Sequence, residues 1–382
     1  MADWNLLLKL SASERLEWAA AQGWARAMRD CGQDQQWHAE GDVWSHTVQV
    51  LGELQSIDGL ESLDARERIV LWFAALFHDC AKPLTTIVDS VSGRVRSPKH
   101  AVKGEQLARA ILRELDCPFK TREQICALVR YHGKPVFLHE DTQPEFELAR
   151  LSWLTRHEWL FVLAMADLRG RSSRESNRSE DDLLWYRELA RENDCLSQPL
   201  PLANSHAKFL LGRRELTNLH YAPFENYGCT VTVMSGLPGC GKDTWLRENR
   251  PELPVVSLDG VRADMDVSPE DNQGQVVQAA RERCRELLRA GNSFALNATN
   301  TSRPMRTLWV DLFVQYGARI EIVAIENSLR ETMRQNRERP EPVPDSVIER
   351  LHERSEPVTV LEAHEVHYVL GDDLLGNDEL RP

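Results

Sequence analysis

The stretch GLPGCGKDTW, residues 236–245, decides the fold of the C-terminal half. It matches the phosphate-binding pattern G-x-x-x-x-G-K-[ST] at Gly236, Gly241 and Lys242, but Asp243 stands where the pattern has Ser or Thr. The β-branched run CTVTVMS precedes it, and a helical segment follows. In this order the glycines let backbone N–H groups turn toward a phosphate chain, and the helix aims its positive end there. We therefore expect a nucleotide phosphate site, with Lys242 reaching the terminal phosphates.

Short apolar runs and helical segments alternate after the loop. PVVSLDG, SFALNATN and RIEIVAIEN predict strands, and this alternation is typical of a parallel α/β sheet. The first 168 or so residues instead carry helical periodicity, and SQPLPLANS suggests a linker. We predict an all-α domain over 1–196, a linker over 197–226 and an α/β P-loop domain over 227–382.

Composition limits the classes of function. No apolar run is long enough to cross a bilayer, and the N-terminus lacks a basic segment followed by an apolar one. The eight cysteines form no C-x-x-C pair, so we expect a cytoplasmic protein without disulfides. The net charge of −13 disfavours wrapping of duplex nucleic acid. Any contact with a polyanion should be local, at an end or a short single-stranded segment.

Asp259 and Arg262 follow the second strand of the α/β half. At this spacing they share a face on the first turn of a helix. The carboxylate could accept the proton of an attacking hydroxyl, and the arginine could hold an acceptor phosphate. An N-cap aspartate with a surface arginine explains the spacing equally well.

The third strand ends at Asn297, where many such enzymes carry an aspartate for Mg²⁺. The loop therefore has a carboxylate where a hydroxyl is expected, and the strand end has an amide where a carboxylate is expected. Moving one carboxylate from strand to loop leaves the charge around Mg²⁺ unchanged. We expect Asp243 to help hold the metal and Thr244 to take over a phosphate contact. The alternative is that Asp243 only caps the helix.

The span LRETMRQNRERPEPVP places Arg334, Arg337 and Arg339 before a group of prolines. Phosphoryl transfer needs positive charge over the transferring group, which an arginine lid could supply. A solvated helix end is the alternative.

Together these features resemble the kinase domain of polynucleotide 5′-kinases over roughly residues 228–370. The resemblance implies transfer of the γ-phosphate of ATP or another NTP, with Mg²⁺, to a 5′-hydroxyl of RNA or DNA. It implies nucleotide contacts at Gly236, Gly239, Gly241, Lys242, Asp243, Thr244, Arg334, Arg337 and Arg339. It implies catalytic roles for Lys242, Asp259 and Arg262, and polynucleotide contacts at Arg262, Asn300, Arg303 and Arg306.

The helical half contains a set of polar residues in apolar surroundings: His46, His78, Asp79, His100, His132 and Asp167. Asp167 lies on an otherwise apolar helix, and His132 continues the apolar stripe that includes Ile125 and Val129. A buried carboxylate is costly unless it is paired or bound to a metal. One such residue would more often be a satisfied core group, but several in one domain favour a shared metal centre.

The order His…His-Asp…Asp resembles the HD phosphohydrolase superfamily, and HAEGDVWSHT and FHDCAKP resemble the HD domains of bacterial tRNA nucleotidyltransferases. No polymerase-like acidic pair is found upstream, so we do not expect nucleotidyl transfer. The resemblance implies one or two divalent metals of the Mn²⁺, Mg²⁺, Ni²⁺, Co²⁺ or Fe²⁺ class and hydrolysis of phosphomonoesters or cyclic phosphodiesters. It makes His46, His78, Asp79 and Asp167 the core ligands. It implies that His100 and His132 bind a second metal or contact phosphate. It implies that His38 orients a ligand or the substrate phosphate, and that Asp79 and Lys82 are catalytic.

The two halves in this order resemble the bacterial HD-domain polynucleotide kinases, which heal broken RNA. The resemblance implies removal of a 2′,3′-cyclic phosphate or 2′-phosphate from the 3′ end and phosphorylation of the 5′-hydroxyl. RNA or DNA termini and an NTP are the expected partners, with an RNA ligase as a candidate third and no membrane. Two alternatives remain: a nucleoside or other small-molecule kinase fused to an HD nucleotidase, and an NTP-binding switch whose HD half degrades a signalling nucleotide.

Overall fold

The structure is a computed structural model that describes residues 3–34, 38–57, 60, 63–172, 180–268, 271 and 273–375. The chain divides into two compact units, Met1–Pro201 and Leu202–Pro382. The first is helical and the second is built on a parallel sheet, which confirms the predicted fold class.

The first unit contains twelve helices and one small hairpin among its described residues. The helices are α1 (Trp4–Lys9), α2 (Ala12–Ala20), α3 (Gly23–Arg29), α4 (Val43–Leu54), α5 (Ala65–Phe77), α6 (Lys82–Thr85), α7 (His100–Glu114), α8 (Phe119–Tyr131), α9 (Lys134–Phe137), α10 (Pro144–Ser152), α11 (His157–Arg169) and α12 (Glu180–Glu192). A 3₁₀ turn spans Leu138–Glu140, and strands β1 (Ile87–Val88) and β2 (Val95–Arg96) pair antiparallel.

Helices α5 and α11 form the centre of this unit because both are apolar on nearly every face. Every residue from Val70 to Phe77 in α5 is buried. In α11 the same holds from Trp159 to Asp167. A capping box between Asp64 and Glu67 fixes the start of α5. The polar residues at the ends of these helices are therefore held inside the domain.

The second unit contains a five-stranded sheet with helices between the strands. Its elements are α13 (Ser205–Arg213), β3 (Thr230–Ser235), α14 (Lys242–Asn249), β4 (Val255–Ser257), α15 (Leu258–Asp264), α16 (Gln273–Arg289), β5 (Phe294–Asn297), α17 (Arg303–Val314), β6 (Arg319–Glu326), α18 (Leu329–Arg337), α19 (Asp345–Arg354), β7 (Glu365–Leu370) and a 3₁₀ turn at Asp372–Leu374.

The strand order is β4-β5-β3-β6-β7, and all pairs are parallel. Strand β3 is central, with Val231 opposite both Phe294 and Ile320. The loop after β3 leads directly into α14, so the sequence between them lies at the carboxyl edge of the sheet. Ligands of open α/β sheets bind at this edge.

Helix α13 lies within the predicted linker, 197–226. Its Phe209 belongs to the same apolar cluster as Val231 and Trp309 of the second unit. The predicted domain boundaries stay a prediction. In the described part of the chain, no helix has both the length and the apolar character required to traverse a bilayer.

Candidate functional sites

The phosphate-binding loop requires glycine at several positions. Gly236, Gly239 and Gly241 have φ of +154°, +81° and +97°, values that L side chains rarely adopt. A Cβ on Gly239 would lie 3.0 Å from the Cα of Asn336 in α18. The loop therefore packs directly on the backbone of α18, which leaves no room for a side chain.

Lys242 is the first residue of α14 and is buried. Its Nζ donates hydrogen bonds to the carbonyl oxygens of Gly236 and Leu237, at 2.9 and 2.7 Å. The ammonium is thus held on the concave side of the loop, where it can meet a phosphate chain.

Asp243 is bonded to the end of β5. The Nδ2 of Asn297 donates to Oδ1 of Asp243 at 2.6 Å. The N-cap of α14 is Gly241, so the interpretation of Asp243 as the helix cap is wrong. The two positions that depart from the usual P-loop pattern are therefore in direct contact, and both residues line the cavity beside the phosphate loop.

Asp259 lies in the first turn of α15, which begins directly after β4, so it shares a helical turn with Arg262 as the spacing predicts. Ser257 caps this helix, so the N-cap alternative for Asp259 is also wrong. Arg262 Nη1 lies 2.5 Å from Asp259 Oδ1, and its Nε donates to Gln273. The Asp259 side chain is 75 % exposed and the pair is accessible from solvent.

One cavity of about 930 Å³ joins the phosphate loop to this pair. Its lining includes Lys242, Asp243, Thr244, Asp259, Arg262, Asn297 and Arg339. Among these residues, the Lys242 ammonium, the Asp243 and Asp259 carboxylates and the guanidinium groups of Arg262 and Arg339 surround one space, which suits transfer of a phosphoryl group to a hydroxyl.

Two arginines of the predicted lid lie outside this lining. Arg334 pairs with Glu331 and Glu338, and Arg337 pairs with Asp345, all on exposed surface. Their role in nucleotide binding stays a prediction.

The predicted polynucleotide contacts after β5 also differ from expectation. Arg306 is fully buried, and its guanidinium donates to Glu362 and to three backbone carbonyls, so it is a structural residue. Arg303 is half exposed outside the cavity lining and donates to Thr359. The buried Asn300 donates to the Met234 carbonyl and fixes the loop to β3. A substrate role for Arg306 would require breaking this network, so the structure does not support the predicted polynucleotide contact at this residue.

The helical unit brings together all six polar residues singled out in the sequence. His46 comes from α4, His78 and Asp79 follow α5, and Asp167 comes from α11. His100 begins α7, and His132 follows α8. They form two groups of ligand atoms within 4.8 Å of one another: His46, His78 and Asp167, and then Asp79, His100 and His132.

Asp79 lies between the two groups. Its Oδ2 is 3.2 Å from His78 Nε2 and 4.0 Å from His46 Nε2. Its Oδ1 is 3.4 Å from His100 Nε2 and 4.0 Å from His132 Nε2. One carboxylate thus faces two candidate metal positions with different oxygen atoms.

The tautomers of four histidines are fixed by acceptors at Nδ1. Backbone carbonyls of Ala75, Ser97 and Val129 lie 2.7–2.9 Å from Nδ1 of His78, His100 and His132, respectively. Nδ1 of His46 faces the Gly170 carbonyl and the Glu40 carboxylate. A carbonyl only accepts, so each Nδ1 carries the proton and each Nε2 of a neutral ring offers a lone pair.

The lone pairs on these Nε2 atoms therefore lie close to other hydrogen-bond acceptors. His78 Nε2 and Asp79 Oδ1 are buried without a hydrogen-bond partner among the described residues. His100 Nε2 lies 3.4 Å from His132 Nε2. Such opposed acceptors are costly unless a cation lies between them. The donor set of imidazole and carboxylate groups fits one or two divalent transition metals, because the hydrogen bonds at Nδ1 orient each ring and leave its Nε2 as the ligand atom.

The electrostatics favour the ligand forms of Asp79, Asp167 and His132. For His46, burial lowers the pKa, but hydrogen bonds to Asp167 and Glu40 outweigh this effect and raise it. Burial opposes ionisation of Asp79, but Lys82 and His78 hold its pKa well below the usual value. Burial likewise opposes ionisation of Asp167, while Arg171 and His46 lower its pKa. Burial and the nearby His78 lower the pKa of His132 to about 4, so this ring is neutral at pH 7.

Two cations and one carboxylate complete the site. Lys82 Nζ is 2.7 Å from Asp79 Oδ2. Arg171 pairs with Asp167, and Glu40 contacts both His38 and His46 at 2.8 and 3.0 Å. The sequence analysis missed Arg171 and Glu40. The i+4 spacing of Arg171 from Asp167 could have identified the first, and the position of Glu40 between His38 and His46 the second.

Known protein families match each half of the chain separately. Residues 43–151 match the HD domain family, and residues 231–358 match a family described as AAA domain. The CC-adding tRNA nucleotidyltransferase of Thermus thermophilus is 34 % identical over 180 residues, 45 % of this chain and 37 % of that protein. The chain therefore spans little more than a third of the length of this relative.

Two solved structures resemble part of the chain. A Chloroflexus aurantiacus protein assigned as a kinase covers 38 % of this chain and 86 % of its own, with 12 % identity and a TM-score of 0.31. A Sinorhizobium meliloti gluconokinase covers 41 % and 86 %, with 14 % identity and a TM-score of 0.28. The two family matches place an HD phosphohydrolase domain and a P-loop kinase-type domain in one chain.

Proposed function

We propose that the chain heals broken nucleic-acid ends. Its HD domain removes a 2′,3′-cyclic phosphate or 2′-phosphate from an RNA 3′ end, and its P-loop domain phosphorylates a 5′-hydroxyl with an NTP. The observation that carries the proposal is the pairing, in one chain, of a metal-ligand cluster for phosphate hydrolysis with a phosphate loop that shares its cavity with a solvent-accessible carboxylate–arginine pair.

At the 3′ end, the cations of the HD cavity bind the phosphate. Lys82 and Arg171 line this cavity together with Asp79, His100 and His132. Divalent metals held by these histidines and carboxylates would supply Lewis-acid activation of water and neutralisation of phosphate charge. The Nδ1 contacts to backbone carbonyls keep each imidazole in a fixed orientation for that task.

At the 5′ end, Asp259 accepts the proton of the hydroxyl as it attacks the γ-phosphate, and Arg262 holds the acceptor phosphate. The 2.5 Å ion pair orients the carboxylate for this role. Lys242 binds the terminal phosphates, and Asp243, held by Asn297, would help to hold Mg²⁺, which would neutralise phosphate charge. The exposure of Asp259 supports an acceptor too large to be enclosed, because a polymer end must reach it from solvent.

The net charge of −13 is compatible with this activity. The enzyme binds only the ends of the nucleic acid, so the cationic side chains at the two cavities are sufficient for binding. No basic surface along a duplex is needed. The acceptor could be RNA or DNA, and the proposal favours RNA because a 2′,3′-cyclic phosphate forms only on ribose.

The test compares acceptors under one set of conditions. Purified protein with ATP and Mg²⁺ or Mn²⁺ should phosphorylate a 5′-hydroxyl oligonucleotide and open a 2′,3′-cyclic phosphate end. Adenosine as the acceptor should give much slower transfer. Efficient transfer to adenosine without transfer to the oligonucleotide would favour the small-molecule kinase, and ATP hydrolysis unaffected by either acceptor would favour the switch.

A further inference from the structure

The segment that joins α18 to α19, residues 338–344, borders the cavity beside the phosphate loop. Four of its residues line that cavity: Glu338, Arg339, Pro340 and Val343. Every second residue from 340 to 344 is proline. Proline fixes its own φ, lacks a backbone N–H and restricts the residue before it. The segment is therefore stiff, so a contact that holds one of its residues also places the others.

Val343 keeps both of its backbone hydrogen-bonding groups, and one side chain engages the two of them. The Nδ2 of Asn336 donates to the Val343 carbonyl at 2.7 Å, and the Val343 N–H donates to Oδ1 of Asn336 at 3.0 Å. Asn336 belongs to α18 and is only 1 % exposed. Two hydrogen bonds from one buried amide to one residue fix both the distance and the direction of the segment.

Asn336 also contacts the phosphate loop, through different atoms. A Cβ on Gly239 would lie 2.9 Å from the Cβ of Asn336 and 3.0 Å from its Cα. The Asn336 carbonyl in turn accepts a hydrogen bond from the N–H of Arg339 at 3.2 Å. One buried residue therefore contacts both the loop suited to phosphate and the segment that carries an arginine.

The position of Arg339 gives this connection a chemical meaning. Arg334 and Arg337 pair with carboxylates on the exposed surface, whereas Arg339 lines the cavity together with Lys242. Phosphoryl transfer needs positive charge at the transferring group, and the charge is effective only from the correct position. Because the segment is stiff, its attachment at Val343 determines where the Arg339 guanidinium can reach.

We propose that Asn336 is a positioning residue for phosphoryl transfer, whose side-chain amide holds the segment so that Arg339 lies at the transferring phosphate. In that step the bond from the γ-phosphorus to the bridging oxygen of the NTP breaks, a bond to the acceptor oxygen forms, and the acceptor proton passes to Asp259. Asn336 touches none of these atoms and acts through Arg339. The proposal rests on the proposed function, because it adds a residue to the same phosphotransferase site.

Two substitutions separate the amide from the packing on the phosphate loop. Asn336→Ala and Asn336→Asp both keep the Cα and Cβ that meet Gly239. The alanine variant removes both hydrogen bonds to Val343. The aspartate variant keeps the acceptor for the Val343 N–H but places an oxygen against the Val343 carbonyl.

The test is a double-mutant cycle of Asn336→Ala and Arg339→Ala, with kcat and the KM for ATP measured in transfer to a 5′-hydroxyl RNA. Each single variant should lower kcat about 10²-fold, since misplacement by about 1 Å can cost that much, and should leave KM nearly unchanged. The double variant should be no slower than Arg339→Ala, because the amide then has no arginine to place. Losses that multiply, or a normal kcat in either single variant, would overturn the proposal.

Thr332→Val is the matched control for damage to α18. Thr332 is fully buried in the same helix, does not line the cavity, and its Oγ1 has no hydrogen-bond partner among the described residues. This variant should keep the wild-type kcat. If Asn336→Ala does not fold, Asn336→Asp replaces it in the cycle with the same expectations.

Two measurements need no turnover. Calorimetry with a non-hydrolysable ATP analogue should give equal affinity in wild type, Asn336→Ala and Thr332→Val. Weaker binding to Asn336→Ala alone would show that the residue serves the phosphate loop itself and would overturn its link to Arg339. Hydrogen exchange at the Val343 amide should be faster in Asn336→Ala than in Thr332→Val, and equal exchange would contradict the proposed contact.

The cycle also separates this role from the proposed function. If RNA ends are not phosphorylated, the same variants are compared in transfer to adenosine or in ATP hydrolysis. Non-multiplying losses there would reject end healing and still support the role of Asn336. Efficient transfer to RNA with losses that multiply would support the kinase activity and overturn the role of Asn336.

Discussion

The contact between Asp243 and Asn297 makes a quantitative prediction about the kinase-type site. If the carboxylate has moved from the strand end to the loop, the two residues act as one unit on Mg²⁺. The Asn297 amide is buried and donates to Asp243 at 2.6 Å. Asp243→Ala removes both the metal oxygen and the partner of this amide, and the unpaired amide alone costs about 1–3 kcal/mol.

The single change Asn297→Asp should be harmful for a different reason. It places a second carboxylate against Asp243, and two like charges at such a distance repel by about 1–4 kcal/mol, depending on the effective dielectric. Asp243→Ser should also lose activity because no carboxylate remains. The double change Asp243→Ser with Asn297→Asp removes the repulsion and restores one carboxylate. We expect a coupling energy of about 2 kcal/mol, or about 30-fold in kcat/KM.

The assay is the initial rate of phosphate transfer from radiolabelled ATP to a 5′-hydroxyl RNA, measured across a Mg²⁺ titration. Asp243→Ala should lose most activity and require more Mg²⁺, and the double variant should recover part of the rate. Glu252→Ala, an exposed carboxylate outside the cavity lining, is the control and should behave as wild type. Strictly additive losses, or a fully active Asp243→Ala, would refute the reasoning.

Three further predictions concern the individual sites. Elemental analysis should find divalent transition metal in the wild type and much less in His78→Ala/Asp79→Ala; equal metal in both would show that the ligands are misassigned. Asp259→Ala should lower phosphate transfer roughly 10²–10⁴-fold while ATP binding stays near wild type; lost ATP affinity with normal turnover would reject its role as the base. Arg339→Ala should lower the rate of phosphate transfer more than Arg334→Ala, since of these two arginines only Arg339 lines the cavity. A larger loss of rate in Arg334→Ala would show that Arg334 takes part in nucleotide binding.

The sequence was informative where short local patterns carry the chemistry. Backbone conformation dictates the glycines of the phosphate loop. The dipeptide His78-Asp79 could be recognised because it directly follows a helix that is apolar on nearly every face. Strands β3, β5 and β6 were predicted because most of their residues are buried and apolar. Strand β7 was missed because Glu365 and His367 interrupt its apolar residues, so they do not form a continuous run.

The remaining features depend on contacts between distant residues. Nothing in SRPMR distinguishes a substrate arginine from a structural one, and Arg306 is decided by Glu362, 56 residues further along the chain. The pairing of Asp243 with Asn297 was inferred from two coincident departures from a pattern, and its geometry required the fold.

The most direct test of the two-site account uses one short RNA that carries a 5′-hydroxyl and a 2′,3′-cyclic phosphate. Wild type, Lys242→Ala and Asp79→Ala are incubated with it, ATP and divalent metal, and both ends are analysed. The account predicts that wild type converts both ends, that Lys242→Ala converts only the 3′ end, and that Asp79→Ala converts only the 5′ end. Loss of both conversions in either folded variant, or no conversion of either end by the wild type, would contradict it.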